Sequence, residues 1–213
     1  MRFFKRAIVI ALYAFAMAYL ESAVVVYLQR ALSMTPAMLF PLRDQTSLGG
    51  LGAIEVGREV ATLVMLGTIG WLAGRTSIER LAWTSVAFGI WDIGYYFWLW
   101  VFIGWPNSLG TTDLLFLLPV PWVAPVWAPI LISVALIFFG VMVARRARQE
   151  MPLTVNVKDW VLLILGGVVV IVSFTLQSGH IRNGAMPSAF AWPVYALGIL
   201  IALFGIFPVL KRK

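Results

Sequence analysis

The chain has 213 residues, of which 62% are hydrophobic and 12% are charged, and its net charge is +7. A soluble domain carries about 25% charged residues, so this composition excludes an ordinary water-soluble fold and predicts an integral membrane protein. The absence of cysteine excludes disulfides, thiolate nucleophiles and cysteine-ligated metal centres. Basic residues flank apolar stretches, as membrane topogenic signals do, so we expect the lipid bilayer and not nucleic acid as a partner.

Six apolar stretches are long enough to cross the hydrocarbon core, which takes about 20 residues per helix. The first resembles a signal peptide, but its apolar run continues to about Leu28, which predicts an uncleaved helix. No segment between the stretches is long enough to fold alone, so we expect residues 1–213 to form a single transmembrane domain. The predicted spans are 7–28, 54–73, 81–103, 122–144, 160–177 and 191–209.

The segment before the fourth span, residues 113–126, contains Pro119, Pro121 and Pro125 in an apolar run. Prolines at this spacing cannot continue an undisturbed helix. We expect a proline-broken outer segment: a short helix or re-entrant stretch from about residue 113, a break near 119–121, and then the fourth span. A re-entrant stretch would have to be buried in protein or line a cavity, because irregular backbone at membrane depth is tolerated only there. The alternative is an amphipathic segment on the surface of the outer leaflet.

The 16 Lys and Arg residues are distributed unevenly between alternate gaps. One set of gaps holds only Arg30, Arg43 and Arg182, and Arg58 lies inside a span. All the others lie at the N-terminus, in the second and fourth gaps, or at the C-terminus. The positive-inside rule then predicts an all-α, six-transmembrane-helix bundle in the cytoplasmic (inner) membrane, with both termini in the cytoplasm.

Ionisable side chains within the spans are costly in a membrane and mark a candidate polar pocket that opens outward. Glu55, Arg58 and Glu59 stand at i, i+3 and i+4 of the second span and share one helical face. The structural alternative is that Arg58 neutralises its neighbours, that the helix dipole favours acids in a first turn, and that Asp92 bonds to Tyr or Ser hydroxyls. The other members of the pocket would be Glu21, Asp92, Tyr95 and Tyr96.

Aromatic residues are abundant in the third span, which reads WDIGYYFWLWVFIGW from Trp91 to Trp105. Trp91, Trp98, Trp122 and Trp127 could line a pocket for a flat apolar ligand such as a lipid, a quinone, a carotenoid or another pigment. The alternative is ordinary helix packing together with an interfacial aromatic belt. We expect no metal, because a single histidine, His180, cannot supply zincin or di-iron motifs.

Three classes of function fit these features. The first is a non-catalytic subunit of a larger membrane complex, which holds a lipid, quinone or pigment and has other membrane subunits as partners. The second is a small proton- or cation-coupled transporter that uses Glu55, Glu59 and Asp92, although no internal repeat is visible. The third is a membrane enzyme with acid–base carboxylates that act on a lipid-like substrate. We favour the first, which has no enzymatic activity, because the chain carries no catalytic motif.

Overall fold

The computed structural model describes residues 3–33, 40, 51–148 and 153–212. Six helices in these ranges are long and apolar enough to cross a membrane, which confirms the predicted multi-pass helical bundle. Arg2, Arg43 and Lys213, which contribute to the predicted charge asymmetry, lie outside the described residues. The spanning helices are α1 (Phe3–Ala31), α2 (Leu51–Ala73), α3 (Ser77–Ile103), α4 (Trp127–Arg146), α5 (Val157–Thr175) and α7 (Trp192–Lys211), and the short α6 (Ser178–Arg182) extends α5.

The proline-rich segment before α4 is a β-hairpin and not a short helix. Strand β1 (Thr112–Phe116) pairs antiparallel with β2 (Trp122–Pro125), so the fourth helix begins at residue 127 and not at the predicted residue 122. Pro119 and Pro121 lie in the connection between the strands, and Pro125 is the last residue of β2. Because proline has no N–H to donate, these are positions at which a hairpin tolerates it.

Local chemistry sets the two ends of α3. At its start, the Thr76 side chain accepts the backbone N–H of Glu79 at 3.2 Å, as an N-cap does. At its end, Gly104 adopts a left-handed conformation with φ of 67° and donates its N–H to the Trp100 carbonyl. A glycine is favoured there because other residues adopt this conformation at a cost.

The bundle has two parts with a cleft between them. The central helix α3 packs against α1, α2 and α4 around a core that includes Trp83 and Val86. Helix α5 packs mainly against α7, and this pair meets the rest of the bundle through β2 and a few contacts with α4. The α5–α7 approach is close, since a Cβ atom at Gly166 would lie 2.7 Å from the carbonyl oxygen of Gly198.

Basic residues from separate parts of the chain meet at one end of the bundle. Glu79, at the start of α3, binds the guanidinium groups of Arg6 from α1 at 3.2 Å and of Arg148 after α4 at 2.9 Å. Arg212, after α7, pairs with Asp159 at the start of α5, with Nη2 3.1 Å from Oδ1. These ion pairs connect helix ends that the distribution of Lys and Arg predicts to lie on the same side of the membrane.

Candidate functional site

A cavity of about 590 Å³ fills the cleft between α3 and α4 on one side and α5 and α7 on the other. Its volume lies within the range of about 300–1,000 Å³ that is usual for ligand pockets. Most of the wall is apolar, and the acidic residues that line it are all near the hairpin. The polar lining at that end consists of Glu21, Glu59, Asp92, Tyr95, Tyr96, Asp113 and Ser133.

Arg58 and two of the predicted carboxylates form a closed cluster between α1 and α2. The Arg58 guanidinium pairs with Glu55, Nη2 to Oε2 at 2.8 Å, and with Glu21. Thr62 donates its hydroxyl to Glu21 at 3.0 Å. Glu55 and Arg58 do not line the cavity. The helix-dipole explanation for Glu55 does not apply, because α2 begins at Leu51 and no acidic residue lies in its first turn.

Glu59 binds the hairpin and not Arg58. The backbone N–H of Leu117 donates to both carboxylate oxygens of Glu59, at 2.9 and 3.1 Å. Leu117 directly follows β1, where the two strands separate and their ladder of hydrogen bonds ends. Glu59 therefore supplies the acceptor for a backbone donor that strand pairing leaves unpaired.

The tip of the hairpin lies level with the middle of the bundle. The Phe116 ring is 6.3 Å from the ring of Trp91, which stands near the centre of the 27-residue helix α3. Irregular backbone at this depth needs its donors satisfied. The Glu59 carboxylate accepts the Leu117 N–H, and Pro119 and Pro121 have no N–H to satisfy, so these residues reduce the number of unpaired backbone donors at the tip of the hairpin.

Two buried aspartates lie near the hairpin end of the cavity. Asp92 accepts a hydrogen bond at 2.8 Å from the hydroxyl of Ser133 on α4, which is the kind of partner that the structural alternative predicted. Asp113, on β1, accepts one at 2.9 Å from the hydroxyl of Tyr96. Burial raises the pKa of Asp113 to about 6. Asp113 is absent from the predicted pocket, because only the hairpin fold brings it close to α3.

An aromatic wall borders the same end of the cavity. Trp91 stacks against Tyr95 with ring centroids 6.4 Å apart, and Phe116 lies between Trp91, at 6.3 Å, and Trp122, at 5.5 Å. The indole N–H groups of Trp91 and Trp122 are buried and have no acceptor among the described residues. Buried donors are nearly always paired, so these two are unusual.

The other two predicted tryptophans lie outside this cavity. Trp98 packs between α1 and α3, where its indole N–H donates to the Phe15 carbonyl at 3.3 Å. Trp127 stacks on Trp192 with ring centroids 4.1 Å apart, at the starts of α4 and α7. The predicted aromatic set is therefore divided, and only Trp91 and Trp122 share the cavity with the carboxylates.

Within residues 3–33, 51–148 and 153–212, no three His, Asp or Glu side chains lie close enough to hold a metal ion. His180 is exposed on α6. The chain matches no known family, no curated protein and no solved structure. Its function must therefore be inferred from the geometry of the cavity.

Proposed function

We propose that this chain binds a membrane amphiphile, with the apolar tail along the cavity and the polar head beside the hairpin. The observation that carries this proposal is the change of polarity along the cavity. Glu21, Glu59, Asp92 and Asp113 all lie at one end, whereas apolar side chains such as Ile206 and Val209 line the other. A ligand that is polar at one end and apolar along its length matches such a wall.

The length of the cavity fits a long hydrocarbon tail. Its lining on α3 runs from Ile78 to Tyr96, which is about 27 Å of helix at 1.5 Å per residue. The hydrocarbon core of a bilayer is about 30 Å thick, so the cavity extends over nearly the whole core. A tail of this length remains among apolar side chains along the cavity.

We propose further that the protein lies in the cytoplasmic (inner) membrane with both termini in the cytoplasm. Support comes from the basic end of the bundle, where Arg6, Arg148 and Arg212 are tied to the starts of α3 and α5. Under the positive-inside rule this end faces the cytoplasm. The polar end of the cavity then lies in the outer half of the membrane.

The proposed role is that of a non-catalytic subunit of a larger membrane complex, with other membrane subunits as partners. The longest segment between two spanning helices, residues 104–126, has 23 residues, so an activity would depend on groups in the membrane or on other subunits. The bound amphiphile would be a lipid, a quinone or a pigment.

The test is mass spectrometry of the intact protein after gentle detergent extraction, with two glycine variants. Gly167 lines the cavity and Gly57 does not, and a Cβ atom at either position would meet nothing within 4 Å. Gly167→Leu should therefore fill part of the cavity, whereas Gly57→Leu adds the same side chain elsewhere. We expect one amphiphile to remain with the wild type and Gly57→Leu, and to be lost from Gly167→Leu.

Two results would overturn the proposal: a wild-type protein without any bound amphiphile, or a Gly167→Leu variant that retains as much as the wild type. Additional protein masses in the wild-type spectrum would identify the partner subunits. A lone chain, 23.7 kDa in mass, would contradict the role in a complex but not the binding of an amphiphile.

A membrane enzyme is the second candidate, and one observation favours it. Asp92 and Asp113 are both buried carboxyl groups at the polar end of the cavity, where a head group would lie. Two carboxyl groups at one site can divide the acid and base roles of a reaction. Incubation with a membrane lipid extract should then give a new product by mass spectrometry, and Asp113→Asn should abolish its formation while the protein stays folded.

The transporter predicted as an alternative has weaker support in the geometry. Of its three carboxylates, Glu55 binds Arg58 and Glu59 binds Leu117, while Asp92 accepts a bond from Ser133. A transporter should move protons or cations in liposomes that contain this chain alone. An absence of flux under an imposed ion gradient would contradict this function.

A further inference from the structure

We infer that the head group held in this cavity is cationic: a protonated amine carried by a lipid tail. The inference rests on the proposed function, because it concerns the head group of the same amphiphile. It follows from the buried carboxyl groups in the cavity wall, from an oxygen of Asp92 that has no hydrogen-bond partner in the described residues, and from the aromatic rings at the same end.

Three carboxyl groups in the wall have only neutral hydrogen-bond donors. Asp92 accepts a bond from the Ser133 hydroxyl at 2.8 Å, and Asp113 accepts one from the Tyr96 hydroxyl at 2.9 Å. Glu59 accepts a backbone N–H of the hairpin. None of the three is more than 8% exposed, and none forms an ion pair with a described residue. A buried carboxylate is costly unless a cation pairs with it, so a cationic ligand would supply a missing counter-charge.

The protein itself brings no cation to this wall. No Lys, Arg or His lines the cavity in the described part of the chain. The guanidinium group of Arg58 is held by Glu21 and Glu55, and two carboxylates with one guanidinium leave a formal charge of −1 in that cluster. A cavity end that is lined by charges of one sign attracts a ligand of the opposite sign. The polar end therefore favours a positive head group and repels a phosphate.

Asp92 has one oxygen that the described residues leave without a partner. Its Oδ2 atom accepts the Ser133 hydroxyl, whereas Oδ1 accepts no hydrogen bond from any residue in those ranges. Asp92 is buried and lines the cavity, so the surface that it retains borders the cavity. A protonated amine can donate to this carboxylate and also neutralise its charge. Such charge-assisted hydrogen bonds are about twice as strong as neutral ones.

The surroundings favour an organic cation over a metal ion. Among the described residues, no three His, Asp or Glu side chains lie close enough to hold a metal. The rings of Trp91, Tyr95, Phe116 and Trp122 line the same end of the cavity as the carboxyl groups. Aromatic rings attract ammonium groups to their faces within about 6 Å of the ring centroid. An alkylammonium group can therefore contact both carboxylates and rings, while its tail lies along the apolar wall.

The test is a titration of the delipidated full-length protein with three probes that share one tail and differ in the charge of the head group. The probes are oleylamine, oleyl alcohol and oleic acid, and binding is followed by native mass spectrometry in one uncharged detergent at neutral pH. We expect oleylamine to bind about tenfold more tightly than oleyl alcohol, the gain from one charge-assisted hydrogen bond. Oleic acid should bind more weakly than the alcohol, because the carboxyl groups of the wall repel it.

Isosteric variants test whether the carboxyl groups of the wall hold the amine. Asp92→Asn and Asp113→Asn each remove one charge, and each should weaken the binding of oleylamine about tenfold without changing that of oleyl alcohol. Glu55→Gln is the matched control. It removes a carboxylate that does not line the cavity, while Glu21 still pairs with Arg58, so the affinity for oleylamine should stay close to that of the wild type.

The possible failures are distinguishable, and the comparison of probes on the wild type does not depend on the folding of any variant. If oleyl alcohol or oleic acid binds as tightly as oleylamine, the inference about the head group is wrong while amphiphile binding stands. An affinity for oleylamine that is unchanged in both Asp92→Asn and Asp113→Asn would also overturn it. If none of the three probes binds, the proposed function itself fails.

Discussion

Two adjacent glycines on α5 provide a sharp test of how closely α5 and α7 pack. At Gly166 an added Cβ atom would lie 2.6 Å from the backbone nitrogen of Ala202 and 2.7 Å from the carbonyl oxygen of Gly198. Carbon contacts are optimal near 3.5–4.0 Å, so Gly166→Ala forces the helices apart by about 1 Å. At Gly167 the same atom would meet nothing within 4 Å.

The two alanine variants should therefore change stability in opposite directions. Overpacking of this kind costs about 1–3 kcal/mol, which we expect for Gly166→Ala. Gly167→Ala should gain about 0.5–1 kcal/mol, because alanine loses less backbone entropy than glycine on forming a helix. The assay is thermal unfolding in one detergent, followed by tryptophan fluorescence, with the variants and the wild type measured side by side.

Equal effects of the two substitutions would refute this reasoning. If both variants melt below the wild type by the same amount, the loss of glycine itself matters and the helix contact does not. If Gly166→Ala has the same melting temperature as the wild type, α7 can move away from α5 without loss of stability. The close α5–α7 approach then does not stabilise the fold.

Three further predictions concern charged groups. Glu79→Gln removes the negative charge that pairs with Arg6 and Arg148 and should lower the free energy of unfolding by about 3 kcal/mol. This is the low end of the cost of breaking a buried ion pair, because the arginines are partly exposed. An unchanged free energy of unfolding would contradict this prediction. Glu59→Ala leaves the Leu117 N–H unpaired and should lower the free energy of unfolding by about 1–3 kcal/mol. Glu59→Gln keeps an acceptor, so its melting temperature should be closer to that of the wild type. Equal melting temperatures of the two variants would contradict the role of Glu59 as the acceptor for Leu117. Burial raises the pKa of Asp113 to about 6, so its contribution to stability is present below about pH 4 and is lost as the pH rises through 6. Melting temperatures measured from pH 4 to 7 should fall more in the wild type than in Asp113→Asn.

The membrane helices could be predicted from the sequence because each depends on a local property, the length of an apolar run. The predicted third span, 81–103, ends where α3 ends, and the predicted start is within four residues of Ser77. The hairpin could not be predicted in this way. Residues 113–126 are apolar without an alternating pattern, and their prolines indicate a break but do not specify which segments pair across it.

The candidate site was predictable only in part, because its contacts join distant residues. Asp92 inside a span correctly indicated a group that needs a partner, but Ser133, 41 residues away, could not be identified from spacing. Glu59 follows Arg58 directly, and this proximity suggested an ion pair. In the structure Arg58 pairs with Glu55 and with Glu21 on α1, while Glu59 binds Leu117. Sequence neighbours compete with partners that only the tertiary structure supplies.

The hydrogen bond between Leu117 and Glu59 also bears on the order of biosynthesis. Glu59 precedes Leu117 by 58 residues, so the acceptor on α2 leaves the ribosome before the donor in the hairpin does. When the hairpin folds, the Leu117 N–H can therefore exchange its hydrogen bond to water for one to a Glu59 carboxylate that is already present. The same hairpin placed ahead of α2 in a rearranged gene would have to wait for its acceptor, and we expect such a circular permutant to insert poorly even though its folded contacts would be identical.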